Sequence, residues 1–134
     1  MNSRTLTAVL LIAGPLALFA GWFIFGLVVG NFDWGNGQEA IAKLAPESDS
    51  VKILISIAAL GSIIIAAGYS GLNKAMSGGA GSHYANAGLL LFIIGTALVT
   101  IESTLVIGTA DTAANGHLAV AGSLFAASQA IGGG

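Results

Sequence analysis

The chain has 134 residues, of which 55% are hydrophobic and 7% are charged, and its formal net charge at pH 7 is −2. About a quarter of the residues in a soluble domain are charged, so this composition indicates an integral membrane protein. Four Lys and Arg residues are too few to bind nucleic acid. Because the chain has no cysteine, disulfides, thiolate metal sites, cysteine nucleophiles and covalently attached c-type haem are excluded.

Four apolar segments follow one another along the chain. A helix needs about 20 residues to cross about 30 Å of hydrocarbon, and each segment comes close to that length. The segments do not alternate between apolar and polar residues, which favours helices over strands. The sequence therefore predicts an all-α integral membrane protein with one membrane domain. Its four transmembrane helices, in a small bundle of two helical hairpins, are expected over residues 6–30, 51–72, 84–108 and 114–131.

The first predicted helix, residues 6–30, is interpreted as a membrane anchor and not as a cleaved signal peptide, because its apolar run continues well past Ala20. The polar loop 31–50 follows this helix. Within the loop, residues 38–45 have the composition of a short interfacial helix, which would end before Pro46.

The fourth predicted helix, residues 114–131, is the weakest of the four. It consists mainly of Ala, Gly and Ser and includes His117 and Gln129, so it contributes little free energy of membrane insertion. We expect it to enter the membrane because the third helix lies beside it. The alternative is that this segment lies on the membrane surface.

The basic residues predict the orientation in the membrane. Arg4 precedes the first helix and Lys74 lies in the second loop, whereas the first loop, residues 31–50, is mainly acidic. Lys and Arg near helix ends favour the cytoplasmic side, so both termini and the second loop are expected there. Lys43 and Lys52 favour the opposite orientation.

Small residues mark the helix faces that are expected to pack. Transmembrane helices associate through close backbone approach at such residues. Gly26 and Gly30 form a Gly-x-x-x-Gly pair in the first helix, and Gly88, Gly95 and Glu102 are spaced by seven in the third. A spacing of seven keeps residues on one face of a left-handed helix pair, so Glu102 is predicted to lie on a packing face and away from lipid.

The fourth helix carries a stripe of small residues, formed by Ala119, Ser123, Ala126 and Ala130. Four thin helices of this kind make a tight bundle without room for a wide pore or a large internal ligand. Their small-residue grooves are suited instead to contact with other membrane proteins. Lipid is the ligand expected for the remaining surface.

Glu102 is the leading candidate for a functional residue, because a carboxyl group inside a membrane is costly and indicates function by default. It has the chemistry to carry a proton, bind a cation, or hydrogen-bond a lipid or pigment. The alternative is structural. Glu102 lies within about two turns of the predicted end of its helix, where it would reach the headgroups or the hydroxyl groups of a neighbouring helix.

His117 is the second candidate, in the predicted first turn of the fourth helix. In an antiparallel hairpin it would lie level with Glu102, so that Asp111, Glu102 and His117 form a possible metal site with oxygen and nitrogen ligands. The spacing of the three residues is irregular, which makes the signal weak. The alternative is a solvated loop in which Asp111 caps a helix.

The sequence around the two histidines bears on two kinds of prosthetic group, a pigment and a haem. Ala113 precedes it by four residues, and this Ala-x-x-x-His arrangement resembles, over five residues, the pigment-binding helices of light-harvesting proteins. A pigment is therefore a further possible ligand of His117. A bis-histidine haem is not expected, because His83 opens the third helix and the two imidazoles would lie about 30 Å apart.

No catalytic motif is present, neither a Gly-x-Ser-x-Gly elbow, nor a phosphate-binding loop, nor His-Glu-x-x-His, so the chain is not expected to be an enzyme. The leading hypothesis is a non-catalytic accessory subunit that packs against other integral membrane proteins of a larger complex. The second is a small homo-oligomeric transporter or channel with Glu102 as its proton or cation site. The third is a pigment- or metal-binding subunit that acts through His117.

Overall fold

The computed structural model describes residues 2–133, and the part of the chain that it describes is helical, without strands. The helices occur at Ser3–Val29 (α1), Gly37–Leu44 (α2), Ser48–Ala75 (α3), Ser82–Ala114 (α4) and Leu118–Ser128 (α5), with a 3₁₀ turn at Ala45–Glu47 and a π-helical turn at Gln129–Gly133. The predicted all-α class is confirmed.

Three stretches of helix in residues 2–133 are long and apolar enough to cross a membrane, namely Ser3–Val29, Gly37–Ala75 and Ser82–Ala114. They are consistent with location in a membrane. The fourth predicted span is represented by the shorter apolar helix Leu118–Ile131. Its α-helical part, α5, is about 16 Å long at 1.5 Å per residue, which is about half of the hydrocarbon thickness.

Helices α1 and α3 are antiparallel and pack through glycines. Gly14 and Gly21 on α1 and Gly61 and Gly68 on α3 are all buried. A methyl group added at Gly61 would stand 2.5 Å from the backbone nitrogen of Leu18 and 2.7 Å from the carbonyl oxygen of Gly14. The two backbones are therefore in direct contact, in the manner of small-residue packing between membrane helices.

Helix α4 runs antiparallel to α3, and polar side chains join the two helices near both ends. At one end the Asn73 side-chain amide donates a hydrogen bond of 2.7 Å to the Asn86 side-chain carbonyl oxygen. At the other end Lys52 forms an ion pair with Asp111. The apolar parts of α3 and α4 lie between these two polar contacts.

The two ends of the bundle differ in charge. We call the end that carries Arg4 and Lys74 the basic end, and the opposite end, which carries α2 and residues 115–117, the capped end. The capped end holds Lys43 and Lys52 together with five acidic residues, Asp33, Glu39, Glu47, Asp49 and Asp111. Among residues 2–133, no Asp or Glu lies at the basic end.

The hydrophobic core lies towards the capped end. Buried side chains of α1, α2, α3 and α4 meet there, namely Phe25, Val29, Leu44, Val51, Leu54, Ile55, Val106 and Ala110. Trp34 stacks between Phe25 and Phe125, with ring centroids 6.3 Å and 6.1 Å away. The aromatic rings therefore join the loop after α1 to both α1 and α5.

The short helix α2 occupies the region in which residues 38–45 were expected to be helical. The Asn36 side chain caps it by accepting a 3.2 Å hydrogen bond from the Glu39 backbone N–H. Ala40 and Leu44 are buried on its inner face, and the helix ends just before the turn that contains Pro46. Its buried face contacts α4 and α5, so α2 is part of the tertiary structure.

Helix α4 is longer than its sequence indicated, because the polar residues that were read as a loop after residue 108 remain helical. The Thr109 and Thr112 hydroxyl groups donate hydrogen bonds of 2.8 Å and 2.7 Å to the carbonyl oxygens one turn earlier, at Leu105 and Gly108. The turn falls instead at residues 115–117, where Gly116 has a φ of +82°. A positive φ of this kind favours glycine.

Candidate functional site

Glu102 lies in the middle part of α4, well inside its apolar stretch. It is about 13 Å along the helix axis from Asp111, which pairs with Lys52, and about 24 Å from Asn86, which pairs with Asn73. The structure therefore does not place Glu102 near the end of its helix, which is where the structural alternative would have it reach the headgroups.

The side chain of Glu102 belongs to the packed face of α4. It precedes the buried residue Val106 by four positions and the buried residue Thr109 by seven, and residues at these spacings share one face of a helix. Glu102 is itself half-buried. Its carboxyl group therefore lies at the edge between the packed face of α4 and the surface of the chain.

The Glu102 carboxyl group has no polar partner within residues 2–133: no side-chain hydrogen bond or ion pair there reaches it. Two neighbouring hydroxyl groups, those of Thr100 and Thr104, are engaged by the helix itself. Thr100 donates to the Thr96 carbonyl oxygen at 2.8 Å, and Thr104 donates to the Thr100 carbonyl oxygen at 2.9 Å. They are therefore not directed at the carboxyl group.

The carboxyl group also reaches the surface of the chain. In the described part of the chain, every fully buried side-chain nitrogen or oxygen atom has a hydrogen-bond partner. The carboxyl oxygens of Glu102 have none and so are not fully buried. They are accessible at the surface of the chain, within the apolar stretch of α4.

The structure does not bring Glu102, Asp111 and His117 together. Asp111 pairs with Lys52, and His117 is exposed at the start of α5, where its backbone N–H donates to the Thr112 carbonyl oxygen at 2.8 Å. Because α4 continues to Ala114, His117 lies about 18 Å or more along the helix axis from Glu102. Within residues 2–133, no three His, Cys, Asp or Glu side chains are grouped to hold a metal ion.

The Ala-x-x-x-His segment is not one helical turn. Ala113 is buried near the end of α4, whereas His117 is the residue before α5, and Gly116 with its positive φ separates the two helices. The flat space that a small residue leaves one turn before a histidine is therefore not formed. His83 and His117 lie at opposite ends of α4, as expected from the sequence.

The predicted packing residues of α1 and α4 differ in their surroundings. A methyl group added at Gly26 or Gly95 would meet no atom within 4 Å, whereas one at Gly88 would lie 2.8 Å from the Tyr69 hydroxyl oxygen. Gly30 ends α1 with a φ of +81° and likewise has no neighbour within 4 Å. Of these glycines, only Gly88 contacts a neighbouring helix of its own chain.

On α5, the predicted stripe residues Ala119, Ser123 and Ala126 are exposed. The residues of α5 that face its own chain are Ala121, Phe125 and Ser128. The small residues named from the sequence thus lie mainly on the outer surface of the single chain, where they are free to contact a further helix.

The four glycines that hold α1 against α3 are not among the packing residues predicted from the sequence. Gly14 and Gly21 are spaced by seven residues, as are Gly61 and Gly68. Gly88 and Gly95 have the same spacing, so this signal is present in three helices. The sequence did not indicate which of these faces meet one another.

Comparison with models of known protein families, with curated proteins and with solved structures finds no match to this chain.

Proposed function

We propose that the chain is a non-catalytic accessory subunit of a larger membrane complex, in which other integral membrane proteins cover the outer surfaces of α4 and α5. The observation that carries this proposal is the position of Glu102, a carboxyl group within the apolar stretch of α4, accessible at the surface of the chain and without a polar partner in residues 2–133.

The free-energy cost of an unpaired carboxyl group in a membrane supports contact with a partner subunit. A charged carboxylate at the centre of a membrane costs about 3 kcal/mol or more, and hydrogen bonds from a neighbouring helix offset part of this cost. Because the Thr100 and Thr104 hydroxyl groups already bond their own helix, the missing donor is expected from another chain.

The exposed small residues support the same proposal. Gly95 lies one heptad before Glu102 on the same face of α4 and has open space above it, so a partner helix can approach the α4 backbone closely there. Ala119, Ser123 and Ala126 offer a second smooth surface on α5. Two such surfaces in one chain are suited to a subunit that joins its neighbours.

A third surface of the same kind lies at the capped end. An apolar groove of about 700 Å³ runs between α2 and α5, with Ile41, Leu118 and Gly122 among its lining residues. Exposed apolar surfaces rimmed by polar residues mark interaction sites for other proteins or for lipid. We assign this groove to a partner subunit, because the exposed residue Ala119 also lines it.

A homo-oligomeric transporter or channel is the second candidate, and Glu102 favours it too. A mid-span carboxyl group at the surface of one copy would line a pathway where several copies meet, and intramembrane acids often carry protons or cations. The pathway would have to lie between copies, because the backbone contact between Gly14 and Gly61 leaves no passage between α1 and α3.

Pigment or metal binding through His117 has the least support of the three hypotheses. His117 is exposed beyond the end of α4 and lies far from Glu102 along the helix axis. If this third hypothesis holds, a visible absorption band or a bound metal should accompany the purified protein and disappear in His117→Ala.

Native mass spectrometry of the protein, extracted from its own membrane in mild detergent, separates the two main candidates. An accessory subunit should appear with different protein chains in a fixed ratio. A self-oligomer without other chains would contradict the accessory role. In that case Glu102→Gln should change ion flux in reconstituted vesicles if the protein is a transporter.

The proposal also includes an orientation of the chain in the membrane. We place the basic end, with Arg4 and Lys74, on the cytoplasmic side, in accordance with the preference of Lys and Arg for that side. Since the chain has no cysteine, single-cysteine variants at Ser77 and Glu39, both exposed, report the two sides separately. In intact cells an impermeant maleimide should label Glu39→Cys and spare Ser77→Cys, and the reverse result would overturn the orientation.

A further inference from the structure

A groove of about 590 Å³ lies at the basic end, between the beginning of α1 and the end of α3. Its polar part contains the cationic side chains of Arg4 and Lys74 and the hydroxyl-bearing residues Ser3 and Thr7. Two of the four basic residues of the chain are thus brought to one site, although they are far apart in the sequence.

The charge of this groove is not balanced by acidic side chains. Five of the six Asp and Glu residues lie at the capped end, and the sixth, Glu102, lies at mid-span on α4. Arg4 and Lys74 are both exposed, and within residues 2–133 their side chains form no ion pair, the one pair being that of Lys52 and Asp111. The groove is therefore positive and complementary to an anion.

The inner part of the groove is apolar. Arg4, Ala8 and Leu11 follow one another at spacings of four and three on one face of α1, and Leu72 faces them from α3. The Thr7 side chain packs directly against Gly71, so α1 and α3 are in close contact at this level. A ligand that extends from the cations towards mid-span would thus pass from charged groups to apolar side chains within about two helical turns.

We propose that this groove binds one anionic glycerophospholipid. Its phosphate would lie between Arg4 and Lys74, with the Ser3 and Thr7 hydroxyl groups as further donors, and one acyl chain would follow Leu11 and Leu72. Arginine pairs with phosphate through two parallel hydrogen bonds, and basic pockets between transmembrane helices at the cytoplasmic side are suited to anionic headgroups. A zwitterionic lipid of the same acyl chains lacks the net charge that the groove complements.

The test is lipid retention measured by native mass spectrometry of the full chain in mild detergent, titrated with phosphatidylglycerol or with phosphatidylcholine of identical acyl chains. One phosphatidylglycerol should be retained per chain, in preference to phosphatidylcholine. Lys74→Gln should weaken phosphatidylglycerol binding about five-fold, and the double variant Arg4→Gln/Lys74→Gln more strongly. The charge-preserving variant Lys74→Arg should bind as the unchanged chain does.

Lys43→Gln is the matched control, because it removes one exposed positive charge at the capped end. It should leave phosphatidylglycerol binding unchanged. Equal retention of the two lipids, or an equal loss of binding in Lys43→Gln and Lys74→Gln, would overturn the proposal. So would displacement of the bound lipid by an excess of inorganic phosphate, since that would make the groove a site for free phosphate.

Discussion

The α1–α3 pair and the α4–α5 pair differ in where their small residues lie. In the first pair Gly14, Gly21, Gly61 and Gly68 are buried and bring two backbones of the same chain into contact. In the second pair Ala113 and Ala121 are buried, whereas Gly95 and the α5 stripe face outwards. Helices α4 and α5 thus carry small residues on an inner face and on an outer face. A face of small residues indicates that another helix can approach closely, but it does not indicate whether that helix belongs to the same chain or to another chain.

The largest effect is expected where the two backbones of the α1–α3 pair touch. Gly61→Ala should lower the free energy of unfolding of the isolated chain in detergent by about 2 kcal/mol or more, because the added methyl group meets backbone atoms that cannot rotate away. Gly95→Ala is the control and should change it by no more than about 0.5 kcal/mol. Denaturant titration of both variants would refute the comparison if the two losses were equal.

A second large effect is expected at Glu102, but only in the assembled complex. Glu102→Leu should leave the isolated chain as stable as before, since no side chain of residues 2–133 bonds the carboxyl group, and should reduce the yield of partner chains by about ten-fold. Glu102→Gln, which keeps hydrogen-bonding capacity, should retain more of the complex. Unchanged co-purification in Glu102→Leu would mean that the carboxyl group has no partner in another subunit.

A smaller effect is expected from filling the space at Gly95. Gly95→Leu should hold a partner helix away from α4 and reduce complex yield by a few-fold, whereas the unfolding of the isolated chain should not change. Co-purification with quantitative mass spectrometry measures this yield. If the complex is unaltered, the Gly95 face contacts lipid and the proposed interface must lie elsewhere.

The smallest effect is expected from the ion pair that joins α3 to α4. The Lys52 and Asp111 side chains are 41% and 47% exposed, and an exposed pair of this kind contributes at most about 1 kcal/mol. Asp111→Asn should therefore lower the free energy of unfolding only slightly, and less in high salt. A loss as large as that of Gly61→Ala would show that the α4 contact, not the glycine contact, dominates the stability of the fold.

The membrane class and the long helices could be predicted because hydropathy and length are properties of single segments. The mutual position of the helices could not be predicted in the same way. Glycines or alanines that are seven residues apart occur in several helices. The pair Gly88 and Gly95 has the same spacing as the pair Gly14 and Gly21, so the spacing does not show which pair packs within the chain. Contact between two helix faces depends on the residues of both helices, whereas the sequence of one segment describes only one of the two faces.

The candidate site, too, could be predicted only in part from the sequence. The spacing predicted that Glu102 lies on a packing face and away from lipid, and in the single chain its carboxyl group lies at the edge of that face and reaches the surface. Its supposed proximity to His117 depended on where the hairpin turns. The residues around Thr109 and Thr112 looked like a loop because they are polar, but their hydroxyl groups bond the helix backbone and keep it helical. This shift of the turn towards Gly116 separated the three residues that were expected to form a metal site.

The position of the core has a consequence for the timing of synthesis. The side chains that meet at the capped end include Phe25, Leu44 and Ile55, which are made early, and Val106 and Ala110, which are made late. At about 5–20 residues per second, the ribosome needs about two to seven seconds to proceed from the end of α3 to Ala110. Until Ala110 is made, the core surface of α1 and α3, which includes Phe25 and Ile55, lacks the α4 side chains that cover it in the folded chain.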